Sequence, residues 1–300
     1  MTSNFHTRQG LIKKQTLTTT DIAEIRHLAD LCNQYEQLHM RISWVALRSR
    51  SGNEYHDLLY YQDDQLVGYL SLDSAGGSER ELTGMVHPSY RRRGIFTMLF
   101  RAAQEDCARL SISHVILVCE RSSVPGRAFV QSVDASLELS EHEMWLTNFQ
   151  ERGAFDDRVS FTLATLDDMD ALISVQAQSF GVPEILSRQS LLHRFKDPTC
   201  RIFLATFGEP SVGCHEPLGL LRLQEEEDVI GIYGFGIIPD YRGRGYGRQM
   251  LEEAIRLACS ESEKPIILDV DTTNTLALGL YLSCGFVIRT TYDYSHVATS

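Results

Sequence analysis

Apolar and polar positions along this chain run through the same order of periods twice. Residues 22–38 carry a helical pattern opened by Thr20-Asp21-Ile22-Ala23-Glu24, which predicts an N-cap at Thr20 and an acidic first turn. Residues 58–61 and 66–72 predict strands joined by a hairpin turn at 62–65. Residues 81–86 predict a further strand, and 96–110 a helix with Met98, Leu99, Phe100, Ala103 and Cys107 on or near one face. The nearly pure apolar run 115–119 reads as a strand buried on both faces. The second half follows suit: a strand at 161–164, helices at 166–180 and 183–195, and strands at 202–206, 218–223 and 230–238. A helix at 247–259 and a strand at 266–270 complete it. Residues 150–157, polar and without period, predict a linker, so the expected domains are 1–150 and 158–300.

A nine-residue pattern marks the duplication. Val86-His87-Pro88-Ser89-Tyr90-Arg91-Arg92-Arg93-Gly94 returns as Ile237-Ile238-Pro239-Asp240-Tyr241-Arg242-Gly243-Arg244-Gly245, an offset of 151 positions (237 minus 86). The proline, the tyrosine, two arginines and the glycine are identical, and each copy lies between a predicted strand and a predicted helix. A repeat at half the chain length predicts two similar domains in tandem. The 300 residues suit that number.

Composition narrows the class. With 43% hydrophobic and 23% charged residues the chain reads as globular and soluble, large enough for two cores without metal or disulfide support. No apolar run approaches the roughly 18–20 residues of a membrane span, and residues 1–20 lack a secretory apolar core. The seven scattered cysteines form no C-x-x-C, which predicts a reducing, cytoplasmic setting and no zinc site. A formal net charge of −12 argues against a nucleic-acid partner. It accommodates a cationic amine, or serves solubility alone.

The second copy is built for an anion. Arg242-Gly243-Arg244-Gly245-Tyr246-Gly247 sets glycines at alternate positions directly before a helix. Glycine admits close backbone approach and positive φ, and the first helical N–H groups point at an anionic guest. Arg242 and Arg244 add charge-assisted donors, so a pyrophosphate is the expected ligand. The P-loop signature is absent, and the turn follows several antiparallel-looking strands rather than opening a Rossmann unit.

Arg242-x-x-Gly245-x-Gly247, followed by Asn274-Thr275-Leu276-Ala277-Leu278-Gly279-Leu280-Tyr281 and Cys284-Gly285-Phe286, resembles the GCN5-related N-acetyltransferase superfamily over the whole C-terminal half. The resemblance implies an α+β fold with a mixed sheet, each domain a mostly antiparallel sheet flanked by helices, and acetyl-CoA as cosubstrate. It also implies roles. Gly236, Ile237 and Ile238 would pair through their backbone with the pantetheine arm, and donors there would polarise the thioester carbonyl. Arg242, Gly243, Arg244, Gly245, Tyr246 and Gly247 would hold the pyrophosphate, and Asn274 would bond the pantetheine or nearby backbone. Tyr281 would protonate the departing thiolate, unless it is a core tyrosine among Leu276, Leu280 and Phe286. The general base stays open between Asp269 and Asp271, the run Glu225-Glu226-Glu227-Asp228, Tyr233 and a water relay.

The first copy reads Arg91-x-x-Gly94-x-Phe96, with phenylalanine in place of the last small residue. Aligning Asp134-Ala135 with Gly285-Phe286 puts Val130 where Tyr281 stands and Ser123 where Asn274 stands, so the acid is missing. This half is expected to be degenerate: either it binds CoA without turnover or it only shapes the acceptor cleft. The overall plan resembles the tandem acetyltransferases of the mycothiol synthase-like group. The expected activity is N-acetylation of a small-molecule or peptide amine in the C-terminal domain, by a monomer or homodimer. The alternative is a non-catalytic acyl-CoA-binding or sensing protein.

Overall fold

Short-range contacts divide the chain in the computed structural model into two units, one running to Glu141 and resuming at Thr290, the other His142–Arg289. The structure describes residues 7–50, 52, 54–76, 79–153, 155–208 and 215–299. Residues 1–6 of the polar N-terminal stretch, Ala154 of the expected linker and Cys214 lie outside them.

The first unit begins with β1 (Gly10–Lys14) and α1 (Thr19–Glu36), followed by the short α2 (Trp44–Arg48). The N-cap of α1 is Thr18, two residues before the expected Thr20. Its hydroxyl accepts from Asp21 N–H at 3.1 Å while the Asp21 carboxylate accepts from Thr18 N–H at 2.8 Å. That reciprocal pair satisfies two otherwise orphaned donors. Next come β2 (Asp57–Gln62), β3 (Gln65–Gly76) and β4 (Glu79–Val86). Asp63 and Asp64 join β2 to β3 with φ of 51° and 64°, the left-handed pair that suits a two-residue hairpin. Then α3 (Ile95–Arg109), β5 (His114–Glu120), α4 (Val124–Ser132) and β6 (Ser136–Leu146) follow. β1 to β4 pair antiparallel in sequence order, and β5 joins β4 in parallel.

The second unit repeats this course with β7 (Val159–Leu163), α5 (Met169–Phe180), α6 (Glu184–Arg194), β8 (Cys200–Phe207), β9 (Glu216–Glu225) and β10 (Ile230–Ile237). It continues with α7 (Tyr246–Glu261), β11 (Ile266–Asp271), α8 (Thr275–Cys284) and β12 (Phe286–Ala298). β7 to β10 are antiparallel neighbours and β11 is parallel to β10. Each unit is therefore a mostly antiparallel mixed sheet flanked by helices.

The division between units falls inside β6 and β12. Tyr292–Ala298 of β12 pair antiparallel with β5, so the end of the chain completes the first unit's sheet. The segment 150–157 has no regular structure, yet it is pinned to α7. Arg152 and Gly153 N–H donate to Glu252, and Asp156 N–H donates to Gln249. The second unit's sheet carries a core on both faces. Ile230, Ile232, Leu268, Met250 and Ile255 pack on the α7 side, and Leu220, Ile238, Leu172 and Ile202 on the α5 side. Among the described residues, no helix is long and apolar enough to cross a membrane.

Candidate active site

The second turn starts where β10 leaves its neighbours. β10 and β11 pair only over Ile230–Ile232 and Ile266–Leu268, and beyond that rung the two parallel strands part into a fork. β10 also carries a bulge against β9, between Tyr233 and Gly236, with Gly234 at φ 55°. A bulge turns backbone groups out of the ladder. Gly236 sits tightly: a Cβ there would lie 2.5 Å from the Phe180 ring and 2.9 Å from the Ser179 Cβ, so the end of α5 packs directly on the bulge. The Ser179 hydroxyl is buried there and has no hydrogen-bond partner among the described residues.

The turn itself is held by its own first arginine. Arg242 Nε donates to the Ile237 carbonyl at 2.8 Å and Nη2 to the Ser179 carbonyl at 3.2 Å, tying β10 to the end of α5. Gly243 and Gly245 take φ of 73° and 91°, with open space where a side chain would stand. Gly245 is the N-cap of α7 and makes no side-chain capping bond, and the first turn carries no acidic residue. The N–H groups of Tyr246, Gly247 and Arg248 are thus the orphan donors of a 16-residue helix. They present the positive end of its dipole. The Tyr246 side chain turns inward, buried against Phe207, with its hydroxyl 3.3 Å from Asp156. Beside the turn lies a cleft of about 700 Å³ lined by Gln178, Phe207, Glu216, Asp240, Tyr241 and Arg244. Tyr241 donates to Glu216 at 2.7 Å, and that bond raises its pKa. Arg244, exposed, is left as the turn's cation toward solvent.

The remaining expected residues fall on both sides of the fork. Ile238 spends its N–H on the Leu218 carbonyl (2.9 Å) and its own carbonyl on Tyr241 N–H (3.0 Å), so it braces the strand end. Asn274 is the N-cap of α8, its side chain accepting from Ala277 N–H at 3.1 Å. Asp271 accepts from Thr273 N–H and hydroxyl, both at 2.7 Å, which holds its carboxyl below the usual range. Tyr281 is 7% exposed, its ring 6.3 Å from Phe235 of β10 and 6.1 Å from Phe286. Burial pushes its pKa up to about 12. Its hydroxyl makes no hydrogen bond with any described residue. Sequence reasoning missed Phe235, Ser179 and Phe180, whose roles depend on which elements meet at the bulge. The run Gly234-Phe235-Gly236 was the one available signal.

The profile of the acetyltransferase (GNAT) family matches residues 22–133 and again 169–286. The chain belongs to this family. It is an N-acetyltransferase, which moves an acetyl group from acetyl-CoA to an amine. It is similar to the mycothiol acetyltransferase of Thermobispora bispora, with 26% identity over 83% of this chain and 85% of that one. A second relative of that name, from Thermomonospora curvata, is 24% identical over 93% of this chain and 94% of its own length. Among solved structures, a GCN5-related N-acetyltransferase from Sphaerobacter thermophilus superposes with TM-score 0.79 at 19% identity, covering 96% of both chains. A tandem GNAT protein from the clavulanic acid biosynthesis pathway gives TM-score 0.72 at 14% identity, covering 97% of this chain and 98% of that one. Both likenesses concern the fold. The open turn glycines, the fork and the unpartnered Ser179 hydroxyl at the bulge fit an extended acyl carrier with a pyrophosphate end.

Proposed function

We propose that acetyl transfer takes place in the second unit, with Tyr281 as the general acid, and that the first domain (1–150) is a degenerate partner of the catalytic one (158–300). Acetyl-CoA supplies the acyl group in activated form, as a thioester. The N–H groups opening α7, with Gly243, Arg244, Gly245 and Gly247, hold the pyrophosphate, and Arg242 keeps the turn in shape through the Ile237 and Ser179 carbonyls. Backbone groups of Gly236 and Ile237 at the bulge orient the carbonyl and meet the charge that grows on its oxygen. Ile238 and Tyr246 support them from within the core, and Asn274 fixes the start of α8. The acceptor is an amine of a small molecule or peptide, and relatives named for mycothiol favour the small molecule. A net charge of −12 supports a cationic acceptor and no nucleic-acid partner.

The observation that carries this reading is Tyr281: its side chain packs in the core beside the fork, its hydroxyl makes no hydrogen bond with any described residue, and it stays protonated well above neutral pH. A phenol in that state is a ready donor to a leaving thiolate. Tyr281→Phe lowers kcat about ten- to a thousand-fold while acetyl-CoA affinity stays within about twofold. Steady-state kinetics with calorimetric titration of acetyl-CoA test this, and undiminished turnover removes Tyr281 from the mechanism.

A further inference from the structure

The geometry points to Tyr233, held by Glu226, as the group that takes the proton from the attacking amine. This rests on acetyl transfer in the second unit. Tyr233 is the first residue of β10 beyond its last rung with β11, so it stands at the mouth of the fork. Ile230 and Ile232 point into the α7-side core, and strand alternation turns Tyr233 to the α5 face. Tyr281 packs in the α7-side core. Amine and thiolate would then be served from opposite faces of one strand.

The ring of Tyr233 folds back over Gly231. A Cβ on Gly231 would come within 2.1 Å of it, so that glycine is required for the ring's position. The hydroxyl donates to Glu226 at 2.9 Å. Arg222, its cross-strand partner on β9, lies with its guanidinium 5.0 Å from the ring centre. The first two acids of the run 225–228 are thereby told apart. Glu225 is engaged by Lys264 at 2.8 Å, and the same ammonium holds the Glu226 carbonyl at 2.8 Å. Glu226 N–H closes the turn onto the Val229 carbonyl at 2.9 Å. The loop is fixed at both backbone groups of Glu226, which aims its carboxylate at Tyr233.

An ammonium acceptor loses two protons as it becomes an amide. The C–N bond forms, the C–S bond breaks, and one proton ends on the thiol through Tyr281. The other passes from nitrogen to the Tyr233 oxygen while the Tyr233 hydroxyl proton moves to the Glu226 carboxylate, which releases it to water. Tyr233 is the catalytic residue and Glu226 the positioning one.

The test compares Tyr233→Phe, Glu226→Gln and Glu226→Asp with Tyr281→Phe, using acetyl-CoA and the best-used amine of a primary-amine panel. Below the pKa of that amine, Tyr233→Phe and Glu226→Gln lower kcat/KM about a hundredfold, the scale of one general base, and Glu226→Asp recovers part of it. Above the pKa of the amine the defect shrinks, because free amine is then present in solution. Acetyl-CoA affinity and melting temperature hold. In the protein alone, labelled with ¹³C at tyrosine Cζ, the Tyr233 resonance (assigned by its loss in Tyr233→Phe) moves in Glu226→Gln. Should either variant fail to fold, the other carries the same readouts. A defect equal at all pH values, or an unmoved resonance, overturns the proposal. Full turnover in both variants beside a slowed Tyr281→Phe overturns it and leaves the acid in place. Full turnover in all of them overturns the assignment of the site as well.

Discussion

In the first turn Arg91 has φ −65° and ψ 160°, and Gly94 has φ 77° and ψ 3°. In the second Arg242 has φ −70° and ψ 158°, and Gly245 has φ 91° and ψ −9°. The bracing bond recurs too, since Arg91 Nε donates to the Val86 carbonyl at 3.0 Å as Arg242 does to Ile237. Even Arg92, at φ 63°, keeps the left-handed conformation of Gly243 at φ 73°, at a steric cost of about 1 kcal/mol. What differs is around the turn. β4 pairs with β3 without a break from Val86 to Arg80, whereas β10 is bulged at the corresponding place. A large and a small residue have also changed places. In the first unit Gly84 on the strand faces Phe96 on the helix, whose ring lies 4.5 Å from Phe129. In the second, Phe235 is on the strand beside Gly247 on the helix, and its ring faces Tyr281. The first groove is filled by helix side chains where the second keeps a phenol. A turn backbone is set by about six local residues and survives divergence. The chemistry proposed above draws on a bulge and a phenol from other elements, and in the first unit the strand is unbroken at the corresponding place and Val130 stands at the phenol's place.

The contrast can be broken most sharply at the acid. Tyr281→Phe costs kcat up to about a thousandfold, whereas Val130→Phe at the matching place in α4 leaves turnover within about twofold. Parity between them would mean that the first unit also turns over substrate. Next comes the turn. Gly245→Val forces a β-branched residue to positive φ and raises KM for acetyl-CoA about tenfold or more, while Gly94→Val leaves that KM unchanged. A rise in both would assign cofactor to both turns, and calorimetry would then count two sites. Titration gives a third comparison. Below pH ~10, Tyr281 is protonated in both folded and unfolded chains and contributes no pH dependence. Between pH ~10 and its folded value of about 12 the unfolded chain sheds the proton first, so stability falls as pH rises, by about 1.4 kcal/mol per unit at most. Tyr281→Phe removes that slope, as denaturant melts at pH ~9 and ~11 would show. The smallest effect is Arg92→Gly, which relieves the left-handed arginine and raises stability by up to about 1 kcal/mol, less the entropy glycine loses on folding. A melting temperature that drops instead would mean that the entropy glycine loses, or a stabilising contact of the Arg92 side chain, outweighs the relieved strain.

Chain order of strands and helices, the duplicated turn and its positive-φ glycines were legible because each is encoded within one short window. Period two or 3.6 names the element, and Arg-x-x-Gly before a helix names the turn. Even so, Thr18 rather than Thr20 caps α1, because a capping box is chosen by the reach of Asp21, not by residue type. β1 and β12 were missed, since both alternate weakly and become strands through partners far away, as when Tyr292–Ala298 pair with Glu120–His114.

Sequence by itself thus determined two related α+β units and a repeated Arg-x-x-Gly turn before a helix, and it put forward Tyr281 as the candidate acid. Only the tertiary structure decided that β10 and β11 part after Ile232, that Arg242 braces rather than reaches outward, and that Glu226 accepts from Tyr233. The reason is physical. Local periodicity records what a residue does within one element. A fork, a bulge and a proton path arise from the register between elements, which is set by long-range pairing.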